Sequence, residues 1–373
     1  MQPRTCISQS DMGFELRGGW GVKVNETIEA MKDQWKSMTS MAGMFIMTIF
    51  LGITIQPYWG IIPEAKAFGA EGTTQTRFIF MELILIGIFT FIIIWLARKN
   101  FEIIIKGFIL FSLWLSLIYV TGPYVELILE LATGEIRSEA YLVAVILNII
   151  LMITLWRFPE WYIVNLVGVL VGSAVITMIG ISFVPVLIII FMILAAIYDH
   201  WAVNGSKHML ELADTMIDLK LPILLVAPKD KNYTFLEEKG NMKVEPRKIP
   251  NPEDWDNPKI DTVELPKGGR DALFMGLGDV IFPGMLVISV LTFLPASGYE
   301  INSFFGTIYL DSLLVALGTL FGGLTGYFGL MTQVAKGKPQ AGLPLLNGGA
   351  ILGYFITVLI VFGPSELIQE ITL

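Results

Sequence analysis

Apolar and polar positions along this chain segregate into blocks rather than alternating with a short period. Nine mostly apolar blocks, near the roughly 20 residues a helix needs to cross a bilayer, fall at 41–58, 78–97, 104–122, 140–156, 161–181, 183–203, 271–294, 308–332 and 342–363. The third runs on into Pro123–Leu131, and only Arg157–Glu160 separates the fourth from the fifth. The pattern predicts an all-α polytopic membrane protein with nine transmembrane helices. It divides the chain into a tail over 1–40, helices one to six over 41–203, a polar loop over 204–270, helices seven to nine over 271–363 and a tail over 364–373. The loop opens with a helical pattern, Ser206–Leu219, apolar at Met209, Leu212, Ala213, Met216 and Ile217. A strand-like run follows at Ile223–Ala227, bounded by Pro222 and Pro228. Beyond it, 229–267 is rich in Lys, Glu, Asn, Asp and Pro and reads as a linker.

Composition agrees with this division. The chain is 54% hydrophobic and 16% charged, against about 25% charged in soluble domains. A single cysteine, Cys6, rules out an internal disulfide framework and a cysteine metal cluster. The net charge of −8 argues against nucleic acid as a partner. The first forty residues lack the basic start and apolar core of a signal peptide. Charge also predicts orientation. All but Lys66, Arg77 and Arg137 of the 25 lysines and arginines lie in the N-terminal tail or in the loops on its side of the membrane. Setting the long 204–270 loop aside, because long loops cross fairly freely, leaves the excess intact. The N-terminus and the 204–270 loop are therefore expected in the cytoplasm of a multi-pass cell-membrane protein, and the C-terminus outside.

Two acids interrupt blocks that belong in lipid. Asp199 closes the run Phe183–Tyr198, and Asp279 falls inside Ala272–Leu294. A carboxylate at the centre of a spanning helix costs about 2.5–3.5 kcal/mol on insertion scales and marks a functional site by default. The topology puts Asp199 about four residues before the sixth helix leaves the membrane and Asp279 about eight after the seventh enters it. At 1.5 Å per residue these are depths of roughly 6 and 12 Å on the same side. Ala195 and Ala196 lie one turn before Asp199, and Gly276 and Gly278 precede Asp279, so neighbouring backbones have room to approach. Pro283, lacking an N–H, leaves the carbonyl of Asp279 without its usual helical partner. Two carboxylates about 3 Å apart share one proton. One then acts as base on water while the protonated one polarises a scissile carbonyl. That is aspartyl protease chemistry, and it needs no metal, nucleophilic side chain or cofactor.

Tyr198-Asp199, Gly276-Leu277-Gly278-Asp279 and Ala341-Gly342-Leu343-Pro344 together resemble the signatures of the presenilin and signal peptide peptidase family of intramembrane aspartyl proteases: Tyr-Asp, Gly-x-Gly-Asp and Pro-Ala-Leu. The resemblance covers about 160–363; the first five helices match only as apolar segments. It implies nine helices, a catalytic pair Asp199 and Asp279, and Gly342, Leu343 and Pro344 packed beside them. Ala341-Gly342-Leu343 departs from Pro-Ala-Leu. Pro344 resembles the presenilin branch, Val280–Gly284 the signal peptide peptidase branch, and the mixture looks similar to archaeal members.

Other polar residues read more plainly. His200 points about 100° from Asp199 and reads as an interfacial side chain able to tune the pair. Glu82 and Asp311 are expected to reach headgroup water, and Asn148 and Asn165 to bond between helices. Gly168, Gly172, Gly322, Gly326 and Gly329 have helix-packing spacing. No His/Glu spacing suggests zinc, and no Gly-x-Ser-x-Gly site is present. The expected partners are the lipid bilayer and transmembrane substrates with an external N-terminus; a homo-oligomer is compatible with the sequence. Cleaving a helix requires unwinding it, and Ile223, Leu224, Leu225 and Val226 are placed to pair with the unwound chain by strand addition, with Pro266–Asp271 as a second edge. Two rival readings remain at this point. One is a proton- or cation-coupled transporter, or a cation leak channel, using the paired aspartates, although no internal repeat supports it. The other is a prepilin-type peptidase, which also uses Gly-x-Gly-Asp but resembles the chain less in helix count.

Overall fold

Each apolar block forms a helix. A computed structural model of the protein describes residues 9–69, 71–99, 101–134, 139–201, 222–229, 233–237, 272–334, 342–367 and 369. Among these, nine α-helices follow one another: α1 (Gln9–Gly60), α2 (Thr76–Arg98), α3 (Glu102–Thr133), α4 (Ala140–Arg157), α5 (Trp161–Gly180), α6 (Pro185–Trp201), α7 (Leu277–Phe293), α8 (Leu310–Val334) and α9 (Leu343–Val361). The third helix includes the apolar extension through Pro123, and the first reaches back to Gln9, well before the block that opens at 41. Seven are long and apolar enough to cross a membrane. The other two, α6 and α7, carry the acids and have 17 described residues each, about 25 Å at 1.5 Å per residue.

The outer surface is apolar, as lipid contact requires. Helix α2 turns Phe80, Ile84 and Phe91 outward, and α3 and α4 do the same with Ile103 and Leu142. The interior is built around α5 and α7, which approach closely through small residues. A Cβ on Gly284 would lie 2.5 Å from Ile176, and one on Gly180 would lie 2.6 Å from Ile288. Helices α8 and α9 are closer still: a Cβ at Gly322 would collide with the carbonyl of Gly349, and one at Gly326 with that of Leu345. The packing spacing is thus used at Gly322 and Gly326, but Gly329 has nothing within 4 Å and takes no part.

Among the described residues, two short antiparallel sheets interrupt the helices. Strand β1 (Leu224–Pro228) pairs with β2 (Ala272–Gly276), Leu225 opposite Met275. The sequence placed 272–276 inside the seventh helix; the structure makes it a strand, and α7 starts only at Leu277. A short apolar run such as Ala-Leu-Phe-Met fits a buried strand as well as a helix, and Gly276 and Gly278 weaken helix on either side of the junction. Asp279 therefore sits in the first turn of α7, not about eight residues into it. The second edge expected at Pro266–Asp271 and the helical pattern at Ser206–Leu219 lie outside the described residues.

The other sheet, β3 (Glu300–Ser303) with β4 (Gly306–Tyr309), is a hairpin between α7 and α8 that the sequence did not reveal. Its turn residue Phe305 lies between the rings of Tyr58 and Tyr124, at 6.1 and 5.2 Å. Asp311, expected to face headgroup water, accepts a 2.7 Å bond from the Ser297 hydroxyl beside this hairpin.

Candidate active site

Helix α6 delivers Asp199 to the interior, where 4% of its surface stays exposed. Helix α7 delivers Asp279, half-buried, from its first turn. The start of α9 meets both. The Leu343 N–H donates to Asp199 Oδ2 at 3.3 Å. A Cβ on Gly342 would sit 2.9 Å from Asp279 Oδ2 and 3.1 Å from its Cγ. The Cα of Gly342 and the N–H of Leu343 belong to one peptide unit, so the two carboxylates lie against a single link of main chain.

The residues flanking the acids divide into two groups. Leu277 is buried, packs beside Gly172 of α5 and donates its N–H to Ile223 O at 2.8 Å, fixing the junction of sheet and helix. Gly276 faces Asp279, with a Cβ position 3.6 Å from Oδ2. Gly278, by contrast, is exposed, with nothing within 4 Å of its Cβ position. Tyr198 is 55% exposed, its ring 6.2 Å from that of Trp201, and no described contact joins it to either acid. Ala341 lies outside the described residues. His200 is exposed. Among the described residues no group of three or more His, Cys, Asp or Glu side chains is placed to hold a metal.

A groove of about 360 Å³ opens between α6 and α9 beside the acids. Its walls include Met192, Ala196 and His200 from α6, and Pro344, Asn347 and Ile351 from α9.

The sheet is tied down on one side. Asn165 of α5 donates its Nδ2 to Val226 O at 2.7 Å and accepts the Val226 N–H at 2.8 Å on Oδ1. The Ser37 hydroxyl donates to Pro228 O at 2.8 Å. Strand β1 is thus bonded to β2 along one edge and to α5 and α1 along the other. This corrects one expectation: Asn165 clamps a strand rather than a neighbouring helix, and it occupies both the N–H and the C=O of Val226. A β-prone run announces a strand but not which of its edges is covered, so sequence alone missed the clamp. Asn148 behaves as expected, donating to Thr121 of α3 at 2.7 Å. Replacing Asn165 by Leu orphans the buried N–H and C=O of Val226, each at a cost of about 1–3 kcal/mol. A lowered melting temperature together with slower turnover is the expected result, whereas an unchanged melting temperature would deny the clamp.

Comparison with known proteins bears on this arrangement. The sequence matches, over residues 35–363, the family described as "Signal-peptide peptidase, presenilin aspartyl protease". No curated protein sequence matches. The fold is similar to two solved structures, each described as a presenilin family intramembrane aspartate protease, in the C222 and P2 space groups. The first is 25% identical with a TM-score of 0.54, the match covering 85% of this chain and 98% of that one. The second is 24% identical with a TM-score of 0.53, over 86% and 97%, and bears on fold alone.

Proposed function

This chain belongs to the signal-peptide peptidase and presenilin family of aspartyl proteases, and on that premise we propose that Asp199 and Asp279 are its catalytic pair. It is a multi-pass membrane protein and an aspartic endopeptidase that cuts within the membrane. The observation that carries the assignment is the shared contact of both carboxylates with the Gly342–Leu343 peptide unit. The family match gives the transporter reading no support.

The geometry suggests a division of labour. With one proton on the pair, the ionised carboxylate takes a proton from water as the water oxygen attacks the scissile carbonyl carbon. The protonated carboxyl donates to the carbonyl oxygen as it gains charge. Collapse of the tetrahedral adduct breaks the C–N bond, with the amine nitrogen protonated by the acid that took the water proton. Leu343 N–H, bonded to Asp199, holds that carboxylate in one orientation. Gly342 lets the main chain approach Asp279 without a side chain in the way.

An unwound substrate must place its backbone polar groups somewhere, because lipid offers them no partner. We assign this task to the β1–β2 sheet. Since β1 is bonded on both edges, Ile223–Val226 serve as the inner strand, and the substrate is read as lying along the β2 side. The cytoplasmic placement of 1–40 and 204–270, the external tail over 364–373 and substrates with an external N-terminus are proposed on the charge distribution. The test is incubation of purified protein with a transmembrane peptide, mapping the products by mass. Cuts inside the apolar span support the assignment; ion flux with an intact peptide would refute it.

A further inference from the structure

Among the described residues, Asn347 is a buried polar group on α9 that the catalytic step leaves unused. It lies four residues beyond Leu343 on α9, hence on the same helix face and about 6 Å further along the axis. Its Nδ2 donates to Met192 O of α6 at 3.0 Å. That bond fixes the amide, because the reverse orientation would set two carbonyl oxygens against each other. The Oδ1 is left with no donor among the described residues, in a side chain only 1% exposed. Asn347 is also part of the groove wall between α6 and α9. A buried amide oxygen without a donor is costly, and native structures keep few of them.

What would supply the missing donor follows from the neighbourhood. A lipid chain in the groove has no hydrogen to give. A substrate helix has no spare one either while it stays helical, since each N–H is bonded to a carbonyl one turn back. Unwinding near the acids changes this, freeing N–H groups on the membrane-centre side, where lipid offers them no acceptor. An extended chain advances about 3.3 Å per residue, so the 6 Å between Leu343 and Asn347 spans about two residues. We propose that, as the α6–α9 groove parts to admit substrate, Asn347 Oδ1 accepts the main-chain N–H of the unwound segment about two residues from the scissile bond, on its membrane-centre side. This deepens the protease reading and rests on Asp199 and Asp279 marking the point of cleavage. Asn347 would be a positioning residue: it lowers the cost of opening the substrate helix and touches no reacting atom.

The test uses the full-length enzyme and a transmembrane peptide whose cut site has been mapped. Each amide N–H within three residues of that site is replaced in turn by an ester oxygen, which removes the donor and little else. With unaltered enzyme, one ester position on the membrane-centre side should lower kcat/KM about tenfold. Asn347→Leu should lower kcat/KM about tenfold on the all-amide peptide, and should lose nothing further at that ester position. Asn347→Met is run beside it, its unbranched side chain preserving the packing, and both are checked by melting temperature. Coupling confined to one position supports the proposal. Losses that simply multiply at every position would overturn it, as would an ester scan of the unaltered enzyme with no sensitive position. Failure of the unaltered enzyme to cut any transmembrane peptide would instead count against the catalytic assignment itself.

Discussion

Asp199→Asn and Asp279→Asn each abolish peptide cleavage, a loss expected at about 10²–10⁴-fold or more, while the protein keeps its melting temperature. The reason lies in how the acids are held. Neither is engaged in a described salt bridge, so removing one charge leaves no buried cation stranded. An amide can replace Asp199 as acceptor for the Leu343 N–H, preserving the contact with α9. What it cannot do is exchange a proton with water. For carboxyls that act as one unit, the double variant should be no worse than either single one. Peptide cleavage followed by mass spectrometry, alongside thermal unfolding, checks both parts. Residual cleavage above a tenth of the unaltered rate in either single variant would remove that acid from the catalytic pair.

Gly342→Val is the second expected large effect, and it tests positioning rather than chemistry. The first atom of any side chain at 342 lies 2.9 Å from Asp279 Oδ2 and 3.2 Å from Oδ1. The nearest atoms are the end of a rotatable side chain, and Gly342 has a right-handed helical backbone that any residue adopts, so a single methyl is accommodated by a small tilt of the carboxylate. A branched side chain is not. Gly342→Ala should stay within about tenfold of the parent, and Gly342→Val should lose about 10²-fold in kcat, the scale of a 1 Å misplacement of a reacting group. Stability should change little in both, because a short acidic side chain can swing aside without moving its helix. A fall in melting temperature that tracks the loss of activity would show that the damage is to folding instead.

The parts of this molecule that could be read in its sequence are those written in long-range composition. Nine apolar blocks became nine helices because no other backbone arrangement of that length satisfies its own hydrogen bonds in lipid. Asp199 and Asp279 stood out because a carboxylate has no bland reason to be there. The rest depended on contacts across the chain. Nothing in Ala-Leu-Phe-Met-Gly distinguishes a strand from a helix start until its partner strand has been placed, with Leu224 opposite Gly276, 52 residues later in the chain. Asn165 offered no sign that its amide would be spent on Val226, since an asparagine in a spanning helix bonds a neighbouring helix equally well. The β3–β4 hairpin consists of two strands of four residues each, too short to show a period.

The join between β2 and α7 has a mechanical consequence. The strand ends at Gly276 and Asp279 follows three residues later, with Leu277 anchored at both its main chain and its side chain. So short a lever has no slack: a guest that grips the strand also steers the acid. On the proposed pairing with β2, recognition and ignition are one movement, and a fragment too short to reach the strand should bind without ever being cut.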